Sequence, residues 1–258
     1  MTDSRKITVI TGIFFTLLLT VILFVEPIPQ WQEYHNFADN RTLWGIDNFF
    51  NVVSNLAFLF AGTVGINSIL AGKLRYGFIQ NWHKSTFMVY FIGVFGIALG
   101  SAYYHYIPSN TTLVWDRLPM TIAFMGLFTA VLVDRANLTK QTTLWLLPLS
   151  ILAGIASLVW WVVFDDLRFY ALVQFAPLVV LLPLTCFLFR KTLYTGGLYL
   201  WAMAGWYFIA KICETLDLYI FELTGFISGH TLKHITAGIA CYVLIRMLYA
   251  NKKHILNE

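Results

Sequence analysis

The sequence predicts an all-α integral membrane protein, and three observations lead there. Hydrophobic residues make up 59% of the 258 and charged residues only 12%, whereas a soluble globular domain carries about a quarter charged residues. Apolar stretches long enough to cross a hydrocarbon core, which takes about 20 residues at 1.5 Å each, recur along the whole chain. Lys and Arg are concentrated in alternate connections between those stretches. No Pro/Gly/Ser-rich linker, charge block or internal period marks off a second domain. The net charge of +4 is too modest to argue for nucleic acid as a partner.

The first span is read over residues 7–25, behind Arg5 and Lys6. It is longer than the apolar part of a cleavable signal, and Glu26, Pro27 and Pro29 follow it in place of a small-residue cleavage site, so it is read as uncleaved. Further spans are expected over 50–70, 85–106, 118–133, 143–164, 170–189, 198–217 and 226–250, giving eight. Positive residues in short loops stay in the cytoplasm. Arg5, Lys6, Lys73, Arg75, Lys84, Arg135, Lys140, Arg190, Lys191, Arg246, Lys252 and Lys253 fall on one side. The other side holds Arg41, Arg117, Arg168, Lys211 and Lys233. Both termini are therefore expected in the cytoplasm, and the short loops suit a bacterial inner membrane.

That topology gathers polar residues at one depth. Asn51, Ser54 and Asn55 open span two on the outer side, Ser101 and His105 close span three, and Asp116 opens span four. Glu214 and Asp217 close span seven, and His230 and His234 open span eight. Ionisable groups inside a membrane are costly and mark function by default. Snorkelling residues would be scattered over both interfaces.

His230 and His234 stand four apart, so both imidazoles leave one face of a helix. Two such nitrogens suit one metal ion, although two membrane histidines can also simply hydrogen-bond to neighbours. His105 offers a third nitrogen, and three histidines with an open position for water is the arrangement of a catalytic zinc site. Ser101 precedes His105 by four residues and shares its face. Its hydroxyl can donate to a carbonyl oxygen as charge develops there, or else bond back to its own helix. Asp116 can take a proton from an activated water and pass it to a leaving amine, or complement a helix N-terminus and pair with Arg117.

Lys211 and Glu214, three apart, are expected to form a structural ion pair. Gly96 and Gly100 form a GxxxG that lets a neighbouring helix approach. Tyr103, Tyr104, Tyr106 and Trp115 are read as an interfacial aromatic belt. Cys186, Cys213 and Cys241 lie in or beside apolar runs without CxxC spacing and are read as packing residues.

Three motifs together, Gly100-Ser101-x3-His105, Asp116-x-Leu118-Pro119-Met120 and His230-x3-His234, resemble the alkaline ceramidase family of the CREST superfamily of membrane hydrolases. The segment Asn51-Val52-Val53-Ser54-Asn55 is similar to that family's first core helix. The resemblance implies a seven-helix core, zinc on His105, His230 and His234, Ser101 and Asp116 as catalytic partners, and a ceramide-like lipid substrate cleaved at its amide bond. It makes the first span an added anchor, dividing the chain into residues 1–36 (N-terminal anchor and loop) and 37–258 (seven-helix membrane domain). The site would lie in the outer leaflet. Eukaryotic members hold calcium ahead of the first core helix, and here Asp39, Asn40, Asp47 and Asn48 offer oxygen ligands in an altered pattern. Arg117 stands where animal members have Glu. The alternative is a seven-helix receptor or sensor with a closed, structural zinc site. A transporter would instead show broken helices and charges at the midplane of repeated halves.

Overall fold

A computed structural model of the chain describes residues 3–74, 78, 80–175 and 196–256. The span expected at 170–189 lies mostly outside these residues, as do Arg75, Cys186, Arg190 and Lys191. Among the described residues the chain is α-helical without strands, apart from one isolated β-bridge between Leu43 and Ile46. The helices are α1 Asp3–Phe24, α2 Phe49–Val53, α3 Leu56–Leu70, α4 Lys84–Tyr106, α5 Asn110–Ala136, α6 Lys140–Phe164, α7 Arg168–Phe175, α8 Gly197–Thr215, α9 Asp217–Thr224 and α10 Gly229–Leu256. Five segments are long and apolar enough to cross a membrane: Phe49–Leu70, Asn81–Tyr106, Asn110–Ala136, Lys140–Phe164 and Gly229–Asn251. Large apolar side chains such as Phe15, Leu70, Trp145, Leu149 and Phe208 point outward, as expected where the solvent is hydrocarbon.

α5 begins eight residues before the start expected from hydropathy. Ser109 caps it, its Oγ accepting from Thr112 N at 3.1 Å, which satisfies one of the orphan N–H groups of a helix start. Asp116 is thus inside the helix and does not serve as its N-terminal carboxylate. The expected second span is broken in two at Ser54 and Asn55. Ser54 Oγ donates to Asn51 O at 3.1 Å and Asn55 Nδ2 donates to the same carbonyl at 2.9 Å, so side chains take the acceptor that helical N–H groups would use.

α4 is central. It packs against α3 on one side and α5 on the other, with α6 beyond α5, while α10 lies between α3 and α8. A Cβ on Gly100 would lie 1.9 Å from Trp115 O, so only glycine permits this approach of α4 to α5. Pro119, four residues on from Trp115, has no N–H to give that carbonyl, which leaves it facing Gly100.

α1 is tied to the start of α7. Arg168 Nη1 donates to the carbonyls of Ile22 and Val25 at 2.9 and 2.5 Å, satisfying carbonyls at the C-terminal end of α1. Beyond it, Gln30 N donates to Asp165 Oδ1 at 3.0 Å and Leu167 N to Ile28 O at 2.8 Å.

Candidate active site

The three histidines meet. His105 closes α4, while His230 and His234 open α10, and all three are buried. His105 Nε2 lies 3.2 Å from His234 Nε2 and 3.3 Å from His230 Nε2. Three buried nitrogens converging in this way can hold a metal ion. A tetrahedral ion bound at about 2.0–2.1 Å keeps its nitrogens about 3.3 Å apart, close to the two separations from His105 Nε2.

Local sequence explains the convergence. Ser228 caps α10, accepting from Thr231 N at 3.1 Å. Asp217, at the start of α9, accepts from His230 N at 2.7 Å through Oδ1 and from Ala38 N at 3.1 Å through Oδ2. Gly229 allows α10 to begin against α8, since a Cβ there would meet Cys213 O at 2.2 Å. Asn51, fully buried, accepts from Thr231 Oγ1 at 3.2 Å and donates to Asp39 O at 3.1 Å. Ser54 Oγ lies 2.8 Å from His234 Nδ1. Asn48 Nδ2 donates to His105 O at 2.8 Å. From the loop before α2, Phe37 covers the group edge-on, its ring 4.7 Å from that of His105 and 4.9 Å from that of His230.

One turn before His105, Ser101 is buried and faces the Asp116 carboxylate across the close α4–α5 contact. Both line a cavity of about 310 Å³ together with His234, at the low end of the range for small-molecule sites. Its polar part also presents Arg117, Lys211, Glu214 and Lys233, whereas Tyr90, Leu127, Met203 and Ala240 line its apolar part. From Ser101 to Tyr90 along α4 is about 16 Å at the helical rise. The cavity is therefore long and amphipathic.

Several expectations need correction. The four residues that offered oxygen ligands for calcium have other surroundings here. The Asp39 carboxylate is taken by Arg41, with Nε at 2.7 Å and Nη2 at 2.6 Å, so a guanidinium already supplies the positive charge. Asp47 accepts from Thr42 Oγ1 at 2.6 Å, Asn48 turns toward His105, and Asn40 is exposed. Tyr104 is not part of the aromatic belt: it is fully buried and its hydroxyl lies 2.9 Å from His35 Nδ1. Tyr103, Tyr106 and Trp115 are exposed as expected.

The Lys211–Glu214 pair forms as expected, and Lys233 joins it at 3.2 Å. Tyr34 donates to the same Glu214 at 3.3 Å. The part played by Tyr34, Phe37 and Lys233 at the site was not read from sequence. Lys233 had a usable signal, since it lies between the two histidines of one helix turn; Tyr34 and Phe37 come from a loop with no periodicity.

No curated protein matches the chain. The family model described as Ceramidase matches residues 44–254, a stretch that contains Ser101, Asp116 and all three histidines. On that match the chain belongs to the ceramidase family, hydrolases of amide bonds that act on ceramide-like lipids.

Proposed function

We propose that the chain is a zinc-dependent membrane amidohydrolase that cleaves the amide of ceramide, or of a related N-acyl lipid, to a sphingoid base and a fatty acid. The observation that carries this reading is the amphipathic cavity that His234, Ser101 and Asp116 share. A lipid amide can lie at its polar part while a hydrocarbon chain fills the apolar part.

His105, His230 and His234 would hold the zinc. Zinc held there would supply Lewis-acid activation of water and of the amide carbonyl. Asp116 is the general base: it takes the proton of the attacking water and returns it to the leaving amine, a contribution of about 10²–10⁴-fold. Ser101 donates its hydroxyl to the carbonyl oxygen as negative charge builds there, a donor that matters most in the transition state. Lys233 and Arg117 line the same cavity as Asp116.

In the same reading α1 crosses the membrane as an N-terminal anchor of residues 1–36, seven spans follow in residues 37–258, and the site lies in the outer leaflet of a bacterial inner membrane. Both termini then lie in the cytoplasm. The test is mass spectrometry of lipids after incubation of ceramide, phytoceramide and a simple N-acyl amine with purified protein and with His230→Ala/His234→Ala. Fatty acid release by the wild type alone supports the proposal. No release from any of the three removes it.

A further inference from the structure

The cavity holds one more positive charge than its carboxylates balance. Lys211 and Lys233 both reach Glu214, and Asp116 is the other acid on the wall. Arg117 forms an ion pair with neither acid. It is buried, with 6% of its surface exposed, and no described carboxylate lies within ion-pair distance of its guanidinium. Residues 176–195 contain no Asp or Glu that could supply one.

The groups in direct contact with the Arg117 guanidinium are neutral. Nη2 donates to Gln30 Oε1 at 2.6 Å. The guanidinium carbon lies 4.2 Å from the ring centre of Trp161, 4.9 Å from Tyr170 and 5.8 Å from Tyr34. Nη1 is buried and has no hydrogen-bond partner among the described residues, and the residue lines the cavity. Aromatic faces offset part of the cost of burying a cation, but a desolvated charge with an idle N–H is expensive unless an acceptor reaches it, and an anion repays that cost best. Gln30 and the three rings hold the guanidinium in place, so little side-chain entropy is lost when a ligand docks.

We propose that Arg117 is the anchor of an anion site for the bound lipid, its free Nη1 donating to an anionic oxygen supplied by an acidic head group on the N-acyl substrate or by the carboxylate of the fatty acid product. The second source rests on the amidohydrolase reading, since it requires that fatty acid be released here. Arg117 directly follows Asp116 on α5 and lines the same cavity, so an anion held there belongs to a lipid already within reach of Ser101 and His234.

The test uses full-length protein in phosphatidylcholine nanodiscs and two measurements. In the first, palmitate and hexadecanol compete with a fluorescent N-acyl lipid for wild type, Arg117→Met and Arg117→Lys. Wild type should favour palmitate by at least about tenfold, an effect of one good charge-assisted hydrogen bond. Arg117→Met should bring the ratio near one and Arg117→Lys should restore part of it. In the second, turnover is compared on N-acyl substrates that differ only in a hydroxyl or a phosphate head group. Faster turnover of the phosphate form assigns the site to the head group, and equal turnover with palmitate preference assigns it to the product. Equal binding of palmitate and hexadecanol by the wild type overturns the proposal, as does a preference that Arg117→Met leaves intact. Should Arg117→Met fail to fold, the wild-type ratio and Arg117→Lys decide. The binding measurement needs no hydrolysis, so palmitate preference in a protein that cleaves nothing would remove the amidohydrolase reading and leave this one standing.

Discussion

Ser54 Oγ lies 2.8 Å from His234 Nδ1 and also 3.1 Å from the carbonyl of Asn51. A hydroxyl has one proton, and the carbonyl can only accept it, so Oγ accepts from the ring. Nδ1 of His234 is thereby the protonated nitrogen and Nε2 keeps its lone pair for a metal. Ser54→Ala is expected to weaken zinc retention about 10–100-fold, the usual cost of losing such a partner, with the protein still folded. Zinc content against increasing chelator measures it, and an unchanged curve would show that the hydroxyl does not orient the ring.

Gly100 is held to its identity by Trp115 O, whereas Gly205 has nothing within 4 Å of the place where a Cβ would go. Gly100→Ala should destabilise by about 1–3 kcal/mol, as overpacking does, and should also depress turnover by moving Ser101 relative to Asp116. Gly205→Ala should instead stabilise the helix by about 0.5–1 kcal/mol. Thermal unfolding in detergent reads both, and equal midpoints for the two variants would contradict the close contact.

Asp116→Asn keeps the size of the side chain and removes the base. Turnover of a fluorescent ceramide should fall by about 10² or more with zinc content unchanged. Ser101→Ala should also keep zinc and lose mainly kcat. Near wild-type turnover in Asp116→Asn takes the residue out of the chemistry, and lost zinc makes it a metal support.

Asp166 links pH to the anchoring of α1. Burial alone would raise its pKa, but hydrogen bonds from Arg168, Trp160 and Ile28 N outweigh burial and hold the carboxyl well below its ordinary value. A depressed folded pKa means that the ionised group stabilises fully above the ordinary carboxylate range near 4, and that the contribution fades as pH falls toward the folded value. Asp166→Asn should lower stability at pH 7, and its gap from wild type should narrow below about pH 4. Proteolysis at residues 25–30 and thermal midpoints at both pH values check this; a gap that widens in acid would reverse the sign.

Because Arg41 occupies the Asp39 carboxylate, turnover should be the same with added calcium and with a calcium-selective chelator. A several-fold calcium activation in the wild type would mean that the ion displaces the guanidinium.

The group of three histidines was legible because polar residues are conspicuous in so apolar a chain and because four-residue spacing fixes a helix face. Ser101 and His105 on one helix and His230 and His234 on another needed only a shared depth to be brought together. Hydropathy hid the true start of α5, since Asn110 to Asp116 reads as loop until Ser109 is recognised as a cap. Tyr104 was misread despite a signal: it follows Ser101 by three residues and so shares the inward face. Arg41 and Arg117 were read as outer-side charges, whereas one covers Asp39 and the other is enclosed by Trp161, Tyr170 and Tyr34. Those roles depend on partners distant in sequence, which no local spacing reveals.

The separation of His105 from its partners, 125 residues to His230 and 129 to His234, has a consequence for biosynthesis. A ribosome feeding this chain into a membrane completes α3 to α8 before either partner histidine exists. On the proposed mechanism, nascent chains then carry Ser101 and Asp116 beside one solitary imidazole, without the set of nitrogens that would hold the metal. In that proposal competence arrives in one step, when α10 inserts and its first turn closes against α4, and truncated products of translation are inactive.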